Sequence, residues 1–122
     1  MLNGRTTLIL EKEFLIALDI QRILEELGAG QTLVVRTPIE AEQLRHRWPE
    51  IALAVVETDL GADAVMDLAD ALMAAGIGVV LTTADLALHH GYDEQPNVPL
   101  VLKPVPEEDL ASAIRQVLAK RS

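Results

Sequence analysis

The sequence predicts an α/β fold with an open parallel sheet, and three observations carry that prediction. Short β-rich apolar runs occur five times, they show little in-out alternation, and helix-period patterns separate them. Strands that are apolar at consecutive positions are covered on both faces, the usual environment of a parallel sheet.

The first run, TTLIL, spans Thr6–Leu10. Ile16, Ile20, Ile23, Leu24 and Leu27 then recur at helical spacing, and Gly28 suits the position just past a helix end. A second strand is expected at 32–36. Thr37-Pro38-Ile39-Glu40 has the form of a capping box, with Thr at the N-cap, Pro first in the helix and Glu third. The third strand is expected at 51–56, followed by a helix marked by Val65, Leu68, Ala69 and Leu72 and closed by Gly76. The fourth strand is expected at 77–82. The stretch 84–97 opens helically but meets Gly91 and Pro96, so one or two turns and then irregular chain are expected. A fifth strand at 98–102 leads to a last helix built on Leu110, Ile114, Val117 and Leu118. That helix opens with Glu107, Glu108 and Asp109 and closes with Lys120 and Arg121, an arrangement that suits the helix dipole.

Right-handed crossovers and five strands point to the order 2-1-3-4-5, a flavodoxin-like (βα)5 three-layer sandwich over a single domain, 1–122. In such a sheet, sites form at the carboxyl ends of strands 1 and 3. The residues there are Glu11-Lys12-Glu13 and Glu57-Thr58-Asp59.

Composition narrows the function. Half of the 122 residues are hydrophobic, and aromatics are limited to Phe14, Trp48 and Tyr92, so the core is aliphatic. A net charge of −9 opposes nucleic-acid binding, and no basic amphipathic helix offers a membrane contact. There is no cysteine, hence no disulfide, thiolate metal site or thiol nucleophile. Neither a membrane-spanning run nor a signal peptide is present, and a soluble cytoplasmic protein is expected. No P-loop or GxGxxG motif is found. His89-His90 has no third ligand nearby in sequence and reads as surface histidines, while Trp48 fits either a partner anchor or a plug of the core.

Four segments carry a resemblance: LILEKEFLIALDIQRILEELG, AVVETDLG, VVLTTAD and LVLKPV. In order and spacing they resemble the response-regulator receiver domain of two-component signalling, over nearly the whole chain. The resemblance implies phosphoryl transfer from a kinase histidine to an aspartate after the third strand, with Mg²⁺ held by two acids after the first. By the same resemblance, Glu11 matches the first acid, Lys12 replaces the second, and Glu57 stands at the phosphoacceptor position. Asp59 falls where a backbone carbonyl reaches the metal. Thr83 and Lys103 match the residues that bind the phosphoryl oxygens, Pro104 completes the Lys-Pro pair, and Leu100 replaces the aromatic switch residue.

These departures have physical consequences. An ammonium offers a metal no lone pair, so Mg²⁺ binding is expected to be weak or lost. The extra methylene of Glu57 moves its carboxylate by about 1.5 Å, and a misplacement of about 1 Å can cost on the order of 100-fold in rate. Glu57 is therefore expected to reach outward, pair with Lys103 or Lys12 and accept from Thr83. This would be either a partial mimic of the phosphorylated state or a plain structural salt bridge.

The expected function is that of an atypical receiver, a pseudo-receiver in a bacterial phosphorelay that is not an enzyme, binds no cofactor and works by protein–protein interaction. A histidine kinase, a phosphotransferase or an effector is the expected partner, and a homodimer is possible. A conventional, weakly phosphorylated receiver and a flavodoxin-like ligand-binding domain are the alternatives.

Overall fold

The computed structural model describes residues 1–91 and 98–119. Its strands are β1 (Thr6–Leu10), β2 (Thr32–Val35), β3 (Ile51–Glu57), β4 (Gly78–Thr83) and β5 (Leu100–Leu102). Its helices are α1 (Phe14–Glu26), α2 (Pro38–Gln43), α3 (Ala62–Ala74), α4 (Leu86–Gly91) and α5 (Glu107–Ala119), with single 3₁₀ segments at Arg45–Glu50 and Thr58–Leu60. All strand pairings are parallel, in the order β2-β1-β3-β4-β5, which is the flavodoxin-like arrangement.

Consecutive apolar residues are buried because each sheet face carries its own core. On one face Leu8, Leu10, Ala54, Val56 and Val79 pack with Val65, Leu68, Ala69 and Leu72 of α3. On the other, Ile9, Val55, Val80 and Val101 pack with Ile20, Ile23 and Leu24 of α1 and Leu110, Ile114 and Val117 of α5. Every residue of β4 is buried, up to its carboxyl end. Two-residue periodicity then places the pocket side chains. Glu11 follows Ile9, Glu57 follows Val55, and Lys103 follows Val101, each continuing the α1/α5 face.

Element ends differ slightly from the sequence expectations, for local reasons. β2 stops at Val35 because the Arg36 amide turns to the Glu40 carboxylate at 3.1 Å. The Thr37 hydroxyl accepts from the Glu40 amide at 3.2 Å, so the cap forms, but Glu40 reaches back to Arg36 and not to Thr37 N–H. β3 runs one residue further, onto Glu57, and β4 lies one residue later than expected. β5 starts only at Leu100, after Pro99, which has no N–H for the ladder. α4 is short, as the 84–97 pattern implies. The irregular part of that stretch, 92–97, and the closing Lys120 and Arg121 lie outside the described residues. Trp48 is buried and its indole N–H donates to the Ala41 carbonyl at 3.1 Å, which makes it a core plug. Among the described residues, no helix is long and apolar enough to cross a membrane.

One buried group on β4 is unpaired. Thr82 is 1% exposed, and its hydroxyl has no hydrogen-bond partner among the described residues. A buried, unbonded hydroxyl costs stability that an isosteric methyl does not. Thr82→Val is expected to raise the free energy of unfolding by about 1 kcal/mol, read from a denaturant midpoint. A lower midpoint would mean that the hydroxyl is bonded in solution.

Candidate functional site

Three strand ends and one turn deliver the pocket. The β1 end supplies Glu11 and Lys12, the β3 end supplies Glu57, the turn after it supplies Asp59, and the β5 end supplies Lys103. At the centre is the Lys103 ammonium, whose side chain is 3% exposed. It lies 2.7 Å from Glu57 Oε1, 3.3 Å from Glu11 Oε1 and 3.4 Å from Asp59 Oδ2.

Glu57 is fully buried. Besides the Lys103 contact, its Oε2 accepts the Lys12 backbone N–H at 3.0 Å, and the Lys12 ammonium lies 3.8 Å from Oε1. Glu11, also buried, uses Oε2 to accept the Glu13 amide at 3.1 Å, just ahead of α1. The Arg36 guanidinium closes the rim by donating to the Lys12 carbonyl at 3.0 Å.

Asp59 faces a different set of donors. Its Oδ1 accepts from the Thr83 hydroxyl at 3.0 Å and its Oδ2 from the Ala84 amide at 3.0 Å. This corrects two expectations. Glu57 does not reach outward to accept from Thr83; it turns inward, because the Lys12 amide and Lys103 ammonium satisfy both of its oxygens inside the pocket. Asp59, expected to matter only through its carbonyl, puts its side chain on Thr83. With Asp59, three carboxylates face the Lys103 and Lys12 ammoniums.

The ionisation equilibria follow from this packing. Burial raises the Glu11 carboxyl above its usual range; the Glu13 amide opposes this, the Glu57 charge adds to it and Lys103 opposes it. Burial also works to raise Asp59, but the Ala84 amide, the Thr83 hydroxyl and Lys103 outweigh it, leaving Asp59 below its usual value. For Lys103, burial favours the neutral amine, yet Glu57 and Glu11 prevail and hold it above the usual lysine value.

The remaining sequence candidates lie at the edge. Leu100 opens β5, is partly buried and packs on the core of the α3 face. Pro104 is exposed and follows a cis peptide bond. The rings of His89 and His90 are 6.1 Å apart, and among the described residues no group of three or more His, Asp or Glu is placed to hold a metal ion. The donor set does not fit Mg²⁺. The carboxylates that would ligate a cation converge on the Lys103 ammonium, with Lys12 beside them. The contributions that sequence reasoning missed are the backbone amides of Lys12, Glu13 and Ala84, which any residue supplies and no side-chain pattern marks.

Lys103 is the charge on which this pocket rests. Lys103→Met is expected to destabilise the protein by about 3 kcal/mol at neutral pH, because it leaves buried carboxylates without a counter-charge. Lowering the pH into the carboxylate range is expected to narrow that deficit, as protonation removes the uncompensated charge. In the unaltered chain, stability from Lys103 is present in full below the ordinary value of 10.5 and is lost as pH rises through its higher folded value. Denaturant unfolding of both proteins across pH checks each point.

No family model and no curated protein matches the chain. Solved structures do. The fold is similar to that of the PhyR stress response regulator, with a TM-score of 0.76 and 28% identity over 94% of this chain and 45% of that one. It is equally similar to the anti-anti-sigma factor PhyR from Bartonella quintana, at TM-score 0.76 and 28% identity over 97% of this chain and 50% of that one. The chain thus spans about half the length of each PhyR chain. A response regulator receiver protein from Sinorhizobium medicae shares the fold end to end, with a TM-score of 0.78 and 20% identity over 100% of both chains.

Proposed function

We propose that the chain is a receiver domain of the response-regulator kind that signals by protein–protein interaction without taking up a phosphoryl group, a reading supported by its likeness to the PhyR structures. One observation carries this reading: Glu57, at the phosphoacceptor position, is fully buried with both carboxylate oxygens engaged, one by Lys103 and one by the Lys12 amide. A nucleophile must present a free oxygen in line with the group it attacks. Lys12 and Lys103 meanwhile supply the positive charge that a divalent cation would bring, so Mg²⁺ binding is weak. On this reading the domain is not an enzyme and needs no cofactor.

The partner is a signalling protein in the cytoplasm, of the histidine kinase, phosphotransferase or effector type. α1 offers it a contact surface. Phe14 is 73% and Leu15 77% exposed, with Leu18 one turn further along. Exposed apolar side chains clustered in this way mark an interaction site. The net charge of −9 turns this surface towards proteins and away from nucleic acid.

Intact mass spectrometry after incubation with a small-molecule phosphodonor and Mg²⁺ tests the proposal. The unaltered chain is expected to show no adduct of about 80 Da, the mass of a phosphoryl group. Lys12→Asp with Glu57→Asp, which restores a metal ligand and shortens the acceptor, is expected to gain one at position 57. An adduct on Glu57 of the unaltered chain would overturn the reading.

A further inference from the structure

Asp59 gathers its donors from elements other than its own. The Thr83 hydroxyl and the Ala84 amide, both at 3.0 Å, come from the end of β4 and the turn beyond it, and the Lys103 ammonium, at 3.4 Å, comes from the end of β5. The remaining nearby hydroxyl, Thr58, lies 3.5 Å from Oδ1 but makes its shorter bond, 2.9 Å, to the Thr82 carbonyl. A hydroxyl, a main-chain N–H and an ammonium aimed at one point make a donor set for an oxyanion.

The contact continues towards helix α4. The Thr83 hydroxyl, while donating to Asp59, accepts the Asp85 amide at 3.0 Å. The Asp85 carboxylate in turn accepts the Leu88 amide at 3.1 Å, which caps the first turn of α4. One line of hydrogen bonds therefore joins Asp59 to α4, which displays Leu86 at 55% and Leu88 at 45% exposure.

We propose that the chain's own Asp59 is the resident ligand of the oxyanion site presented by Thr83, Ala84 and Lys103, and that this tethered carboxylate holds the β4–α4 turn and the first turn of α4 in one setting. Tethering is what gives Asp59 the site. A carboxylate fixed two residues from the end of β3 acts at an effective concentration of millimolar or more, against which a free anion competes poorly. The proposal rests on the interaction-module reading only for what the α4 face does; the subsite itself stands on its own contacts.

The experiment uses the full chain, inorganic phosphate as the probe, and backbone amide resonances as the readout. In the unaltered chain, phosphate at tens of millimolar is expected to leave the Ala84 and Asp85 amides unshifted. In Asp59→Ala, the Ala84, Asp85 and Leu88 amides are expected to exchange with solvent about tenfold faster or more. Phosphate should then shift Ala84 saturably and slow that exchange again. Unchanged exchange in Asp59→Ala, or no response of Ala84 to phosphate, overturns the proposal. Should Asp59→Ala unfold, Thr83→Val in the otherwise unaltered chain decides, because it cuts the same line of bonds. Faster exchange at Asp85 and Leu88 supports the proposal, and unchanged exchange overturns it. A phosphoryl adduct on Glu57 would overturn the interaction-module reading instead, so the two failures are distinguishable.

Discussion

One buried ammonium holds the carboxyl end of the sheet together. Lys103 stands within 3.4 Å of carboxylates from Glu11, at the end of β1, and from Glu57 and Asp59, at the end of β3 and in the turn after it. Bringing these charges out of water is costly, and a buried pair offsets that cost only if the remaining oxygens are also bonded. Here they are: the Lys12 amide serves Glu57, the Glu13 amide serves Glu11, and Thr83 with Ala84 serves Asp59. The arrangement of the loops follows from this requirement. The β1–α1 turn must direct two N–H groups inward, and the turn after β4 must stay against Asp59.

A receiver pocket built for a metal and a phosphoryl group has to leave places for both. On the proposed reading, this pocket fills them with its own groups. On that reading ammonium charge stands in for the cation, while Glu57 reaches Lys103 and the Lys12 amide. Lys103 is the nearer counter-charge to Glu57, at 2.7 Å, and the Lys12 ammonium adds a second at 3.8 Å.

The fold could be read almost entirely from the sequence because it depends on pattern. Unbroken apolar runs such as IALAVV and GVVLT require cover on both faces, and only the parallel sheet with helices on either side provides it. That Glu11, Lys12, Glu57, Asp59, Thr83 and Lys103 come together at adjacent strand ends follows from the same pattern. Which of them bond was not legible. Two acids two residues apart, Glu57 and Asp59, compete for the same donors, and their division depends on backbone amides and on ångström-scale reach. The spacing of letters encodes neither.

Trp48, described above as a core plug, also has a practical consequence. It is the only indole in the chain, it is 2% exposed, and the Arg45 guanidinium lies 4.2 Å from its ring centre. It belongs to the α3-side core, whereas Glu11, Glu57 and Lys103 continue the opposite face of the sheet. The intrinsic fluorescence of this protein is therefore a reporter of global unfolding that is separated from the pocket by the full thickness of the sheet. Rearrangements among the pocket charges are therefore not expected to register in it, and following them calls for an extrinsic label on α4 or α1.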